Sequence, residues 1–308
     1  MRFRDEIEKL YTSDKLDDIY KIYEHFSKEE IIEWMTTRPK AKMDIFEVEG
    51  DKEAIVIIPT ADFNGQLAKH AREVFKGLHI IFVQSKGPLF NYAKSVNEGI
   101  RYAKNKYAPK WFIVSNDDVI WAEPPNKLID ELATVSSNVD LVMVCPPGKA
   151  HTKRVSIISP KDYVFSLMRL YAMVSKTPWI RVYSKFLKYR KKFGIKYWPA
   201  MHPILMNLKF GIKEKYDFLY CGSFCIVKDK LFDEGFINGV EDVALSMTST
   251  VELINYKIEF LSGATLGGDE LRMAKNLINF IYLNWLIESG KIKLRSFTIM
   301  HLSTNSNC

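Results

Sequence analysis

Short apolar runs alternate with amphipathic segments through the middle of the chain. From Glu53 onward, runs typical of buried parallel strands are separated by segments whose apolar residues recur at helical spacing. In residues 91–104, for example, Ala93, Val96 and Ile100 fall on one helical face. The pattern predicts strands at 54–58, 79–83, 111–115, 141–144, 219–227 and 258–262, and helices at 66–76, 91–104, 124–135, 243–253 and 271–288. This order predicts an α/β fold with a mostly parallel, doubly wound sheet.

The segments outside this alternation are helical or basic. Residues 1–50 show helical spacing, and Ser27 with Glu30 fits a capping box at the start of a second helix. We therefore expect a helical N-terminal extension over 1–50 and an α/β domain over 51–270. That domain carries a basic, aromatic-rich insert at about 151–215. A C-terminal amphipathic helix and tail follow over 271–308.

Composition fits a globular protein. The 308 residues are 47% hydrophobic and 26% charged, which is ample for a packed core. We find neither an apolar run long enough to cross a membrane nor an apolar secretory segment behind the N-terminal arginines. Four cysteines form neither a zinc pattern nor a disulfide framework. These features predict a cytoplasmic protein.

The net charge of +7 hides an uneven distribution. Residues 151–215 contain 15 Lys and Arg but only two acids, Asp162 and Glu214, so they carry +13 and the rest of the chain −6. Aromatic residues are interleaved with these cations. The insert is interpreted equally well as a surface for anionic lipid headgroups or as a helical region with solvated lysines. A nucleic-acid interface is the least favoured interpretation, because basic patches are not specific to it.

The most informative segment is the predicted strand at 111–115 and the residues that follow it. Asn116, Asp117 and Asp118 come directly after the strand, where open α/β sheets bind ligands. Two adjacent carboxylates repel each other, so a divalent metal with oxygen ligands is a natural partner. An ordinary turn or helix N-cap explains the same residues equally well when they are considered alone.

Five segments in order make the chain similar to a known family. Ala54–Thr60, Asn91–Ala103, Ser115–Val119, Cys221–Phe232 and Phe236–Leu245 resemble motifs of the family 2 glycosyltransferases, which have the GT-A nucleotide-sugar-binding fold. The likeness covers about residues 53–270. It implies a glycosyltransferase that moves a sugar from a nucleotide-sugar donor to an acceptor hydroxyl, with inversion and the help of Mn²⁺ or Mg²⁺. The acceptor would be a glycan, a lipid-linked group or a protein.

The resemblance also implies roles for acidic residues. Asp118 and Asp117 would hold the cation against the departing diphosphate. Asp242, or failing it Glu241, would be the general base that takes the proton of the acceptor hydroxyl. Taken alone, Glu241 and Asp242 would more often be helix-capping acids, because carboxylates in a first turn complement the helix dipole.

Donor binding is implied for residues at several strand ends and on one helix. An Asx turn is an equal explanation for Asp62, and a solvated surface position is the more frequent outcome for a residue such as Lys94. The implied donor contacts are Pro59, Thr60, Asp62, Lys94, Asn97, Asn116, Asp117, Gly222 and Ser223.

The chain departs from the family pattern at two places. The loop at 84–86 lacks the usual Asp, and the segment near 266 lacks the His that completes the metal shell in relatives. Asp269 is a substitute oxygen ligand, and His202 is a weaker candidate. These departures keep one alternative, a non-catalytic sugar- or membrane-binding relative. A nucleotidyltransferase is a second alternative because it shares a similar sheet and paired acids, although 59–65 is a poor glycine-rich phosphate loop. With either alternative, as with a transferase, the basic insert would allow peripheral attachment to the inner face of a membrane.

Overall fold

The computed structural model describes residues 2–144, 153–157, 171, 173–176, 216–220, 223–261, 269–292 and 299–300. The helices are α1 (Arg2–Ile7), α2 (Lys9–Thr12), α3 (Leu16–His25), α4 (Lys28–Thr37), α5 (Gln66–Val74), α6 (Tyr92–Tyr107), α7 (Pro125–Thr134), α8 (Glu241–Met247) and α9 (Asp269–Glu288). The strands are β1 (Asp44–Val48), β2 (Asp51–Thr60), β3 (Leu78–Gln84), β4 (Trp111–Ser115), β5 (Val119–Ala122), β6 (Leu141–Val144), β7 (Lys153–Ile157), β8 (Tyr216–Tyr220), β9 (Phe224–Val227), β10 (Val251–Ile254), β11 (Ile258–Phe260) and β12 (Ile299–Met300).

The fold is α/β, as predicted, and its main sheet is mixed. The strand order is β1-β3-β2-β4-β9-β6-β10-β12. Strands β3, β2 and β4 pair in parallel, as do β6, β10 and β12. The edge strand β1 runs antiparallel to β3, and β9 runs antiparallel to both β4 and β6. A short antiparallel pair, β5 with β11, and a second two-stranded pair, β7 with β8, complete the described strands.

The central strands are buried because both faces of the sheet are covered. Residues 54–60 of β2 are all buried, and alternate side chains enter two separate apolar clusters. One cluster contains apolar residues of α5 and α7, and the other contains those of α6 and α8. Helix α6 approaches closely at Gly99, where an added Cβ would lie 2.5 Å from a methyl carbon of Ile57 and 3.0 Å from one of Val83.

Two predicted elements were wrong in extent. The single strand predicted at 219–227 is two strands, β8 and β9. The helix predicted at 243–253 begins at Glu241 and ends at Met247, and the following Val251–Ile254 is strand β10. Four residues are too short to show either periodicity, so pairing with β6 decides the conformation of this run. Strands β1, β5, β7 and β12 were not predicted, and β1 lies within the residues 1–50 that were predicted to be helical.

The chain divides into two compact units, one of which comprises residues 1–38, 155–217 and 265–294. Within this unit, α9 contacts α3 and α4, and the hydroxyl of Tyr23 donates to the carbonyl oxygen of Ala274 at 2.9 Å. The predicted capping box of Ser27 and Glu30 is confirmed. None of the described helices combines the length and the apolar character needed to cross a bilayer. Most of the basic insert lies outside the described residues.

The second unit comprises residues 39–154, 218–264 and 295–308, and it contains the main sheet. Apart from Asp269, which belongs to the first unit, the described residues considered for chemistry below belong to it.

Candidate functional site

The candidate site lies where the chain reverses its direction of travel across the sheet. Strand β3 pairs on one side of β2, and β4 pairs on the other. At such a switch point, the loops leaving the carboxyl ends of neighbouring strands separate and form a crevice that binds ligands. Here β2 ends at Thr60, and β4 ends at Ser115, directly before Asn116 and the acidic pair.

Asp117 is held by the neighbouring strand. The buried hydroxyl of Thr60 donates a hydrogen bond of 2.7 Å to Oδ2 of Asp117. Burial raises the pKa of Asp117, while the hydrogen bond from Thr60 opposes that rise. The side chain of Asp117 is therefore fixed in direction by a residue 57 positions away, and its charge is only partly compensated.

Asp118 is buried more deeply and is less well compensated. Burial raises its pKa, the charge of Asp117 raises it further, and a hydrogen bond from Asn116 opposes both. Its Oδ1 is buried without a hydrogen-bond partner. Its backbone carbonyl accepts from the amide of Leu261 at 2.9 Å, so the end of β11 fixes the main chain here.

Ser223 approaches the acidic segment from the antiparallel strand. Its carbonyl oxygen accepts from the backbone N–H of Asn116 at 3.0 Å, and its Oγ accepts from Nδ2 of the same residue at 3.3 Å. These bonds continue the pairing of β4 with β9 past Ser115. The structure therefore brings together Thr60, Asn116, Asp117, Asp118 and Ser223, whereas Gly222 lies outside the described residues.

The second acidic pair begins helix α8. Glu241 and Asp242 are both buried, with 6% and 8% of their surface exposed. Burial, reinforced by the charge of Asp242, raises the pKa of Glu241 to about 8. Its Oε2 is buried without a hydrogen-bond partner. The preceding Val240 has φ +72°, a left-handed conformation that is strained for a β-branched residue and that tends to occur at functional sites.

Side-chain amides place this second pair at the same edge of the sheet as the first. Asn97, two turns into α6, donates to the carbonyl of Phe232 at 2.8 Å, and Asn91, its N-cap, donates to that of Phe236 at 2.7 Å. The side-chain oxygen of Asn238 accepts from the amide of Tyr92 at 2.8 Å. The segment 232–238 therefore runs along α6 toward the N-terminal end of that helix, which is the end that follows β3.

Because α6 starts at the carboxyl edge of the sheet, α8 starts there as well. Both acidic pairs therefore lie along this edge, which we call the carboxyl edge. Within the described chain, seven buried side-chain polar atoms have no hydrogen-bond partner. Four of them are oxygens of this edge, in Ser85, Asn116, Asp118 and Glu241.

Buried oxygens that lack donors are suited to a cation. Buried polar atoms are normally hydrogen-bonded, and an unpaired one lowers stability. Carboxylate and amide oxygens suit Mg²⁺ or Mn²⁺, and a cation also relieves the repulsion between Asp117 and Asp118. The residues present at the carboxyl edge therefore fit the divalent ion that the family resemblance implies.

Other predicted site residues have different environments. Asp62 is exposed, and its Oδ1 accepts from the amide of Asn64 at 3.0 Å, which is the Asx turn considered as its alternative. Pro59 is buried in β2, and Lys94 is half-buried in the first turn of α6. The side chain of Asn97 is fully occupied by residues 232–234, so it positions the chain rather than offering groups to a ligand.

The two remaining metal candidates are not described in side-chain detail. Asp269 is the first residue of α9, and only its backbone is described. His202 lies outside the described residues. Neither prediction is tested.

Sequence reasoning missed the positioning residues of this edge. Asn91 and Asn238 hold the segment before α8, but a single Asn in a helix-start or turn sequence gives no sign of a partner about 145 positions away. It also missed Glu47, Glu49 and His79, whose potential ligand atoms lie within 4.8 Å of one another. These three residues form a second polar cluster, far from the carboxyl edge.

Comparison with family models and curated proteins adds no family assignment to these observations. No protein-family model matches the chain, and no curated protein matches it significantly.

Proposed function

We propose that this protein is an inverting glycosyltransferase that uses a nucleotide-sugar donor, a divalent cation and an acceptor hydroxyl. The proposal includes a doubly wound, GT-A type arrangement of the sheet. Two features support it: five family-like segments in order, and two acidic pairs that both lie along the carboxyl edge, with Asp118, Glu241 and Asp242 buried. The nucleotidyltransferase alternative gains no support, because the loop after β2 forms an Asx turn at Asp62 rather than a glycine-rich phosphate cradle.

One observation carries the proposal. Oδ1 of Asp118 is buried and unpartnered beside Asp117, at the switch point of an α/β sheet. Such an arrangement is unfavourable unless a positive group completes it. When bound here, a divalent cation supplies charge neutralisation for a diphosphate leaving group. Asp117 and Asp118 would hold it, and Thr60 keeps Asp117 in position.

The protein's own groups account for the remaining chemistry. The acceptor oxygen forms a bond to the anomeric carbon as the bond from that carbon to the diphosphate breaks, and the diphosphate leaves with the bonding electrons. Asp242 accepts the proton of the acceptor hydroxyl. Glu241, kept mostly neutral at neutral pH by its burial, adds little negative charge next to Asp242. Attack from the face opposite the diphosphate inverts the anomeric centre.

Release of nucleotide diphosphate from a panel of nucleotide sugars tests the proposal. We expect turnover with one of them in Mn²⁺ or Mg²⁺, and loss of turnover in EDTA. Asp118→Asn should lose cation-dependent activity, whereas Asp229→Asn, which changes an exposed acid that pairs with Lys104, should not. Wild-type protein that releases no diphosphate from any donor, or an Asp118→Asn variant with undiminished cation-dependent turnover, would refute the assignment.

We also propose that the insert at 151–215 attaches the protein to an anionic membrane surface on the cytoplasmic side. Its charge of +13 and its interleaved aromatic residues support this attachment. A lipid-linked acceptor would then lie in the membrane to which the protein is attached. Co-sedimentation with phosphatidylserine vesicles should be strong at low salt and weak at high salt. Equal recovery with neutral vesicles would contradict an electrostatic attachment.

A further inference from the structure

The second polar cluster lies at the opposite, amino edge of the sheet. His79 is near the start of β3, whereas the carboxyl edge follows the end of that strand. Glu47 belongs to the antiparallel edge strand β1, and Glu49 follows that strand. Helix α6 ends beside them, with the ring of Tyr107 4.7 Å from the ring of His79. This cluster is independent of the function proposed above.

Glu47 is an acceptor with both oxygens engaged. Its Oε1 accepts from the hydroxyl of Tyr102 at 2.5 Å and from Nζ of Lys106 at 2.7 Å. Its Oε2 accepts from the hydroxyl of Tyr107 and lies 3.0 Å from Nε2 of His79. An ammonium and two tyrosine hydroxyls thus donate to its two oxygens, so Glu47 acts as an acceptor in this cluster.

The hydrogen bonds of Glu47 fix the tautomer of His79. Because Tyr102, Lys106 and Tyr107 already donate to its two oxygens, Glu47 is an acceptor, and the proton between Glu47 and His79 is on Nε2. In a neutral imidazole, Nδ1 then carries a lone pair. The side chain of His79 is 0% exposed, and its Nδ1 has no hydrogen-bond partner.

The lone pair of His79 faces another acceptor. Its Nδ1 lies 3.7 Å from Oε2 of Glu49, which is too long for a hydrogen bond. Two such atoms, each about 2.0–2.1 Å from one tetrahedral zinc ion, would be roughly 3.4 Å apart. A small adjustment of the exposed Glu49 would bring both into coordination distance. A fully buried nitrogen that lacks a hydrogen-bond partner and lies near a carboxylate oxygen is an arrangement that a cation would complete.

We propose that His79 and Glu49 bind a zinc-class divalent cation, with Glu47 as the carboxylate that orients the histidine. Metal-bound histidines commonly donate their other N–H to a carboxylate in this way. Water would complete the coordination through the open side of Glu49. The ion would join the end of edge strand β1 to β3 and so stabilise that edge of the sheet.

Lys52 competes for this position. Its Nζ lies 2.7 Å from Oε2 of Glu49, so an ammonium neutralises the carboxylate in the metal-free arrangement. The Lys52 side chain is 38% exposed on a flexible stem, and it can move into solvent when a divalent ion binds. Removal of this ammonium should strengthen metal binding.

Two measurements on the full chain test the site. A two-bond ¹H–¹⁵N spectrum of the histidine rings at neutral pH should show His79 with a protonated Nε2 and a bare Nδ1. Addition of ZnCl₂ should shift the Nδ1 signal of His79, assigned by its absence in His79→Gln. Calorimetry then gives the affinity of the same event.

Variants separate this site from the carboxyl edge. Glu49→Gln should lose the Nδ1 shift, Glu47→Gln should weaken zinc binding by about 10–100-fold, and Lys52→Met should strengthen it. Glu53→Gln, at an exposed acid of β2, and Asp118→Asn should leave the shift unchanged. A His79 ring found as imidazolium or protonated at Nδ1 would overturn the proposal. So would an Nδ1 shift that persists in Glu49→Gln.

Discussion

The acids at the two edges of the sheet differ in how well hydrogen-bond donors compensate their charges. At the amino edge, Glu47 accepts from four donors and has a pKa lowered to about 2. At the carboxyl edge, Asp118 and Glu241 have raised pKa values and buried oxygens without partners. A carboxylate surrounded by donors stabilises a fold, whereas buried acids left without donors reduce stability. The uncompensated acids of the carboxyl edge therefore reduce stability, which is consistent with the function proposed for them.

The largest expected effect is on turnover at the carboxyl edge. If Asp242 is the general base, Asp242→Asn should lower kcat by about 10²–10⁴-fold, because that is the usual contribution of general acid–base catalysis. Release of diphosphate in the presence of acceptor measures it. Hydrolysis of the donor without acceptor should fall less.

Glu47→Gln is the matched change at the amino edge. It should change kcat by no more than about twofold from wild type at a temperature well below the unfolding transition. The reason is that the contacts of Glu47 at the amino edge do not touch the reacting groups. Equal losses of kcat in Glu47→Gln and Asp242→Asn would remove the distinction between the two edges.

The next effect is a dependence of stability on pH that Glu241 imposes. A carboxyl group whose pKa is raised from 4.5 to about 8 binds more protons in the folded state than in the unfolded state between these values. The free energy of unfolding should therefore fall as pH rises from about 4.5 to 8, by up to about 1.4 kcal/mol per pH unit. Glu241→Gln should remove the contribution of Glu241 to this fall, leaving those of Asp117 and Asp118, whose pKa values are also raised, and be the more stable protein at alkaline pH.

Urea unfolding of both proteins across this pH range, with EDTA present to remove divalent ions, measures the difference. Glu259→Gln, at an exposed position of β11, is the control and should keep the wild-type slope. Parallel curves for wild type and Glu241→Gln would mean that Glu241 is not buried in its acidic form.

The sequence predicted contiguous features and failed at long-range ones. Residues 111–118 contain a strand and its acids in one run, so both were predicted before the structure. The insertion of antiparallel β9 between β4 and β6 was not, because periodicity within a strand says nothing about its neighbours. The cluster at the amino edge joins Glu47, His79 and Tyr107, which are separated by 28 to 60 positions, and each has an ordinary sequence context.

A smaller effect, this time on stability, is expected for Glu47. Glu47→Gln removes a charge that accepts from Tyr102, Tyr107, Lys106 and His79, and an amide cannot accept from all of them. Stability at neutral pH should fall by about 1.5–3 kcal/mol, the range for hydrogen bonds to charged groups. Because the pKa of Glu47 is lowered, its contribution is complete above about pH 4.5 and is lost as pH falls toward 2. Chemical denaturation at neutral and acid pH measures this, and the difference between variant and wild type should shrink in acid.

The smallest effect tests whether Thr60 acts on the cation through Asp117. Thr60→Val removes the hydroxyl that donates to Oδ2 of Asp117 but keeps the shape of a buried side chain. Loss of such an orienting bond should weaken Mn²⁺ binding by about 10–100-fold, while Thr60→Ser, which keeps the hydroxyl, should retain most of the affinity. Paramagnetic relaxation of water protons by bound Mn²⁺ reads the affinity without requiring turnover. If both variants bound Mn²⁺ as wild type does, the hydrogen bond between the two strand ends would be structural only. The carboxyl edge would then resemble the amino edge more than its unpartnered oxygens suggest.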